Sequence, residues 1–442
     1  MRLVVSIVVS IVLAGLCSVP TVASAADSYS TPSPGIRRLR RVTATQNINV
    51  LIVDLCAPGV SVRATATGER QRTVGSFGAL VGAQAAINGD FFSFSNYSTN
   101  GPSRHAGAAW GGGDHGYVAP VQFGEGQVAL PPHEGTGGVA SWAREVVSGH
   151  PSVLVNGARR DNNGDSLCTA RHPRTALGLN AAKDKLFLAV IDGRSTSRIG
   201  MTCDEIAALM RELGAHDAVN LDGGGSSTMW LGGVGVVNNP SDGTQRVVAN
   251  HLAVRATGTG DAPHCPGPRY EASFMAMEAP MEMTSGEEAV VWMELKNDGR
   301  ASWDLTNTRV GTQGPQDRAS AFFKAENWLS PNRPTAVDKA GTGNGIVGRF
   351  TWAMVAPEVE VSTQFDETFQ LVQEGVAWFG PEQTMSILVH PRSGPTNPDP
   401  TDPTDPGMPG EGGGCSTNGG GGSTQLVTSL ALALLVLRRR RR

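Results

Sequence analysis

Asn220-Leu221-Asp222-Gly223-Gly224-Gly225-Ser226-Ser227-Thr228 is the stretch on which the reading of this 442-residue chain turns. It continues a short apolar run, Ala218 to Leu221, of the kind that forms a strand. Three consecutive glycines free the backbone for positive φ and can turn successive N–H groups into one concavity, a shape suited to an anion. Ser226, Ser227 and Thr228 add hydroxyl donors, and Asp222 sets a carboxylate at the strand's end.

Working outward, the segment before it reads as a helix from Cys203 to Leu213. Thr202 and Glu205 form a T-x-x-E capping box, Ile206, Leu209, Met210 and Leu213 make an apolar stripe, and Gly214 ends it. Strand-like runs lie at Ile48 to Leu55, Ala85 to Ile87, Val153 to Val155, Thr175 to Leu179, Leu186 to Ile191 and His251 to Val254. Strand, helix and strand in that order predict an α/β or α+β core of mixed sheet. Four further segments repeat the theme of a strand end, a glycine and a charged or amide side chain: Asn88-Gly89-Asp90-Phe91-Phe92, Pro173-Arg174-Thr175 to Gly178, Asp192-Gly193-Arg194, and Asn239 to Gly243 leading to Arg246 and Asn250. Arg174, Arg194 and Arg246 beside turns suit bidentate capture of a phosphate, which a planar guanidinium grips better than lysine. The plainer alternative is that they tie loops down through Asp192, Asp222 and Asp242.

In this order and spacing, across about Asn47 to Arg255, the five segments resemble the phosphodiester glycosidase family, the relatives of the enzyme that removes N-acetylglucosamine to uncover mannose-6-phosphate. The resemblance implies hydrolysis of a sugar-1-phosphodiester. Asp222 and Asp192 are then the candidate carboxylates at the anomeric carbon, their roles interchangeable, with Arg194 as catalytic partner. Asn88, Asp90, Arg174, Gly223 to Gly225, Ser226, Ser227, Thr228, Arg246 and Asn250 are the expected substrate-binding residues. A phosphomonoester leaves readily, its second pKa being about 6. Arginines and amides can therefore replace much of the usual general acid.

Other chemistries fit less well. His105, Asp114 and His115 match no common metal spacing. Ser226 with His172 or His251 lacks the nucleophile-elbow pattern. No P-loop or dinucleotide fingerprint occurs, so neither a metal nor a cofactor is expected.

Beyond a Gly/Pro-rich linker at residues 259–269 the chain changes character. Residues 270–392 alternate as strands, notably Ala289 to Leu295 and Thr384 to Val389, and predict an all-β sandwich. Lys296-Asn297-Asp298-Gly299 with Trp303, and Glu374 to Gly380, resemble the immunoglobulin-like domain of NBR1 and bacterial surface proteins. Trp292, Trp303, Trp328, Trp352 and Trp378 form either its core or a sugar-stacking face. Residues 393–414, rich in Pro, Asp and Gly, read as a stalk.

The two ends carry addresses. Arg2, the apolar run Leu3 to Leu16 and Ala23-Ser24-Ala25 make residues 1–25 a secretory signal peptide cleaved after Ala25; residues 26–46 then read as an N-terminal linker before a domain at 47–258. Residues 415–442, with Cys415, an apolar run and Arg438 to Arg442, resemble the MYXO-CTERM sorting tail, which implies anchoring through Cys415 by sorting machinery. The formal net charge of −4 includes Arg2 and the five terminal arginines; removing those six positive charges leaves −10. An acidic chain without a basic stripe excludes general nucleic-acid binding, and membrane contact is expected only through the anchor. Cys56, Cys168, Cys203 and Cys265 in an oxidising compartment predict disulfides, and we favour Cys56 with Cys265 and Cys168 with Cys203. The expected protein is an exported hydrolase acting on a phosphodiester-linked glycan, held at the cell surface or outer membrane or released. The rival expectation is a non-catalytic, glycan-binding or adhesive surface protein.

Overall fold

Three antiparallel sheets and one long capped helix place every motif of the first domain. The computed structural model describes residues 26–112, 118–131 and 138–392. The signal peptide, Asp114 and His115, the stalk, Cys415 and the tail lie outside the described residues. The largest sheet has eight strands in the order Ala26–Ser33, Ile36–Val42, Asn47–Asp54, Lys185–Ile191, Arg174–Leu179, Asp217–Asn220, Ser152–Val155 and Ala158–Arg159. Strict alternation sorts its side chains. Leu51, Val53, Leu186, Leu188 and Val190 point into one apolar cluster shared with Ala119, Val121 and Phe123 of a second sheet and Ile87, Met229 and Leu252 of a third. Ile48, Val50, Phe187, Ala189 and Ile191 face the opposite way, onto Ile206, Leu209 and Met210 of helix Cys203–Glu212. The helix starts at the capping box, with Thr202 Oγ1 accepting from Glu205 N and Glu205 reaching back to Thr202 N.

Two expectations are corrected. Every strand pair of the first domain is antiparallel, so the mixed α/β or α+β sheet is replaced by a predominantly β architecture with short helices. Lys185–Ile191 and Asp217–Asn220, on either side of the helix in sequence, do run in the same direction. Arg174–Leu179 lies between them and pairs antiparallel with both. The segment 26–46, expected as a linker, forms a β-hairpin paired with Asn47–Asp54. Its composition hid this, because only Ile36 and Leu39 supply large buried side chains there.

Both disulfides pair as favoured, Cys56 with Cys265 and Cys168 with Cys203. The second closes 35 residues of sequence, a constraint on the unfolded chain of about 4 kcal/mol by loop-closure entropy. Cys168→Ala with Cys203→Ala should lower the melting temperature by several degrees; calorimetry checks this.

Residues 272–390 form two facing sheets. Ala272–Glu278, Glu288–Asn297 and Val347–Val355 make one, and Glu282–Thr284, Ala377–His390, Thr363–Gln373 and Thr308–Gln313 the other. Met293, Phe350 and Trp352 meet Val310, Phe369 and Ile387 between them. Trp303, Trp328 and Trp352 are buried in this cluster, while Arg349 and Arg333 lie over the rings of Trp292 and Trp378. The five tryptophans therefore form no common sugar-stacking face. Among the described residues no helix is long and apolar enough to cross a membrane.

Candidate active site

Antiparallel register brings the motifs to one edge. Arg174 pairs with Ile191, Ala176 with Asn220, and His251 with Asn88, so strand ends carrying Arg174, Asp192, Asp222, Asn88 and Asn250 converge. They border a cleft of about 220 Å³ lined by Phe91, Leu167, His172, Pro173, Arg174, Arg194, Asp222, Gly223, Gly224 and Arg246.

Asp222 sits at its floor. Gly223 N donates to its Oδ1 at 2.8 Å, and Ser226 also hydrogen-bonds its carboxyl. Burial pushes its pKa up to about 6 against these bonds and the charges of Arg246 and Arg194. Asp90 is more deeply buried, 2% exposed. Gly101 N donates to its Oδ2 at 2.6 Å, and Oδ1 is buried without a partner. Burial, and then the negative charge of Asp222, raise its pKa well above the ordinary value, so it favours the neutral acid. It lines an adjoining lobe with Asn100, His150 and Asp165 that meets the main cleft at Phe91 and Leu167. Sequence reasoning placed Asp90 among the substrate-binding residues; its burial involves partners distant in sequence, such as Asn250.

Asp192 occupies a different position from the expected partner of Asp222. Its two oxygens accept from Asn47 Nδ2 at 2.6 Å and Asn239 N at 2.9 Å, and it borders a separate lobe beside Arg194. It ties the start of strand Asn47–Asp54 to the segment at Asn239. Asn88 and Asn250 are buried braces too. Asn88 donates to the Asp222 carbonyl at 2.7 Å and accepts from Thr175 Oγ1 at 2.7 Å. Asn250 accepts from Asp90 N at 2.8 Å and donates to Ser103 Oγ.

The glycine run does not form the expected row of free amides. Gly223 N is engaged by Asp222, Gly224 N by the Pro173 carbonyl, Ser226 N by Gly223 and Ser227 N by Gly224. The glycines instead permit close approach. A Cβ on Gly224, whose φ is +61°, would lie 2.8 Å from Arg194 Nη2, and one on Gly225 would lie 2.0 Å from Asp242 Oδ2 and 2.1 Å from Arg246 Nη2. Gly225→Ala must therefore push apart the Arg246–Asp242 pair, now 2.6 Å. We expect a stability loss of up to ~1–3 kcal/mol from overpacking; thermal melting of the variant checks it.

The three arginines differ. Arg194 is exposed, adopts a left-handed backbone with φ +62°, and makes no ion pair among the described residues. Arg246 grips Asp242 and reaches Ser226 Oγ at 3.4 Å. Arg174 is buried and donates to the carbonyls of Leu167, Ala170 and Met201, burial lowering its pKa to about 10. Its backbone carbonyl partners flank the Cys168–Cys203 bridge, so it shapes the wall. Buried Ser227 Oγ and Thr228 Oγ1 have no partner. His172, which sequence reasoning considered only as a serine's base, lines the cleft and is kept towards the neutral form by burial, Arg174 and Arg194. His251 is excluded as such a base: its ring bonds Thr65 and the Arg72 carbonyl and stacks on Phe77. His105 pairs with Glu145, and among the described residues no three His, Cys, Asp or Glu side chains are grouped to hold a metal.

Known proteins share this part of the chain. Protein YomE from the SPbeta prophage of Bacillus subtilis strain 168, itself uncharacterized, is 29% identical over 161 residues, 36% of this chain and 23% of that protein. The chain thus spans about a quarter of that relative's length. The catalytic domain of zebrafish N-acetylglucosamine-1-phosphodiester α-N-acetylglucosaminidase, auto-inhibited by its pro-peptide, aligns with a TM-score of 0.39 and 21% identity, over 52% of this chain and 81% of that one. A Burkholderia pseudomallei protein described as exported aligns at 0.35 and 18%, over 51% and 76%. The family model for phosphodiester glycosidase matches residues 81–255, the stretch that holds Asp90, Arg174, Arg194, Asp222 and Arg246.

Proposed function

We propose that the first domain hydrolyses a sugar-1-phosphodiester, releasing an N-acetylglucosamine-like sugar from a glycan or glycolipid outside the cell. The observation that carries this reading is the pairing of a carboxylate poised near neutrality, Asp222, with an unpaired guanidinium, Arg194, on one cleft. Ionised Asp222 acts at the anomeric carbon as nucleophile or base. Asp90, whose burial favours the protonated acid and which lies close enough to Asp222 to feel its charge, is the better partner than Asp192. Arg194 and Arg246 hold the phosphate as it departs, and neutral His172 contributes a hydrogen bond without adding charge. The two disulfides support work outside the cell, and in this reading the enzyme is exported and held at the surface through Cys415, with the sandwich as spacer.

Incubating the full chain with an α-linked N-acetylglucosamine-1-phosphodiester should release free sugar. No release from a panel of such diesters, with glycan binding retained, would favour the adhesive alternative. The pH profile is a second test. Asp222 must be ionised to act, so kcat/KM should rise as pH passes upward through about 6 and fall again where Asp90 loses its proton. A flat profile across pH 5 to 7 would remove Asp222 from the chemistry.

A further inference from the structure

The cleft has a third lobe, which the proposed reaction does not use. Residues Asp192, Gly193, Arg194, Ser195, Ser197, Arg198, Asn239, Pro240, Ser241 and Gly243 border about 320 Å³ of space. Three observations give it a ligand chemistry. Arg198 and Arg194 both line it, and neither makes an ion pair among the described residues. Asp192, the lobe's carboxylate, is engaged on both oxygens by Asn47 and Asn239, so two guanidinium groups border the lobe against one carboxylate whose oxygens already have partners. Ser241 lines the lobe, and its Oγ is buried with no hydrogen-bond partner among the described residues, which leaves the hydroxyl able to donate to a bound group. The turn that presents the arginines is held by mutual backbone bonds, Ser195 N to Arg198 O at 2.9 Å and Arg198 N to Ser195 O at 3.2 Å. Arg198 Nη1 donates to the Ser197 carbonyl; in an acidic chain, two arginines on one short turn with no ion pair among the described residues are a local anion site.

Arg194 borders this lobe and the Asp222 cleft alike. We infer that the lobe takes a second anionic group of the leaving portion, directly adjacent to the scissile phosphate, so that the preferred substrate class is a sugar diphosphate ester rather than a simple phosphodiester. One guanidinium shared between two anions requires them to be neighbours, as in a diphosphate. Phosphates separated by a sugar or a polyol would leave one of the two lobes unfilled. This inference rests on the proposed hydrolysis for its substrate, although the anion site itself does not.

The test measures binding to the full chain by calorimetry, with inorganic phosphate, inorganic pyrophosphate and propane-1,3-diol bisphosphate as probes. Pyrophosphate should bind at least tenfold more tightly than phosphate, and the spaced bisphosphate no better than phosphate. Arg198→Gln should weaken pyrophosphate about tenfold, the size of a lost charged hydrogen bond, and phosphate less than twofold. Ser241→Ala should weaken pyrophosphate by a smaller factor in the same direction. Melting temperatures of both variants show whether each remains folded. Equal affinity of the wild type for phosphate and pyrophosphate, equal losses on both in Arg198→Gln, or preference for the spaced bisphosphate would each overturn the inference. Turnover then separates this outcome from the failure of the functional reading. If no sugar phosphate ester of either kind is cleaved while the pyrophosphate preference holds, the hydrolase reading fails and the site stands. If a phosphodiester is cleaved and the preference is missing, the site fails alone.

Discussion

Asp222→Asn should reduce kcat by three orders of magnitude or more, within the ~10²–10⁴ range for loss of a positioned acid or base and above it for loss of a nucleophile. The amide keeps the volume and can still accept from Gly223 N. It cannot attack an anomeric carbon or take a proton. Stability supplies the control. The folded pKa of Asp222 is raised to about 6, above an unfolded value of about 4, so the native state is disfavoured as pH rises through that interval. The neutral amide escapes that penalty, and the variant should melt at or above the wild-type temperature at pH 7. Retained turnover in a folded Asp222→Asn protein would return the chain to the binding alternative.

Arg194→Lys should reduce kcat/KM on a phosphodiester by roughly tenfold to a hundredfold, the cost of a charged bidentate contact at ~1.5–3 kcal/mol. The lysine keeps the charge and loses the planar fork. A nitrophenyl glycoside lacking phosphate, if it is a substrate, should be nearly indifferent to the change. Equal losses on both substrates would mean that Arg194 organises the sugar site or the loop. Its positive φ favours the second meaning only if the variant also melts early.

The parts of the fold that depend on local rules were legible in the sequence. The capping box of Thr202 and Glu205 marked the helix start, and β-branched runs marked Asn47–Asp54 and Lys185–Ile191. Cysteine count and an exported setting predicted disulfides, and of the three possible connectivities the favoured one is found. Strand direction was not legible, because the strand between Lys185–Ile191 and Asp217–Asn220 is an earlier one, Arg174–Leu179. Nor was the use of the glycines. Their spacing is equally compatible with an amide cradle and with a close approach of Arg194, Asp242 and Arg246, and only the tertiary contacts decide between them. The contrast between Asp90 and Asp192 has the same origin. Each is an Asp next to a glycine, but one has an unpartnered buried oxygen and the other has two amide donors.

The Cys56–Cys265 bridge has a mechanical meaning as well. Its two ends are 209 residues apart in sequence, and Asn88, Arg174, Asp222 and Asn250 all lie on the enclosed stretch. A pull applied between the first strand and the sandwich would pass from residue 56 directly to residue 265 through the sulfur–sulfur bond. The enclosed residues would form a slack side branch that carries no tension. Asn47, which holds Asp192, and the strand Asn47–Asp54 lie outside that enclosed stretch, so the lobe beside Arg194 would feel a load that the Asp222 strand is spared.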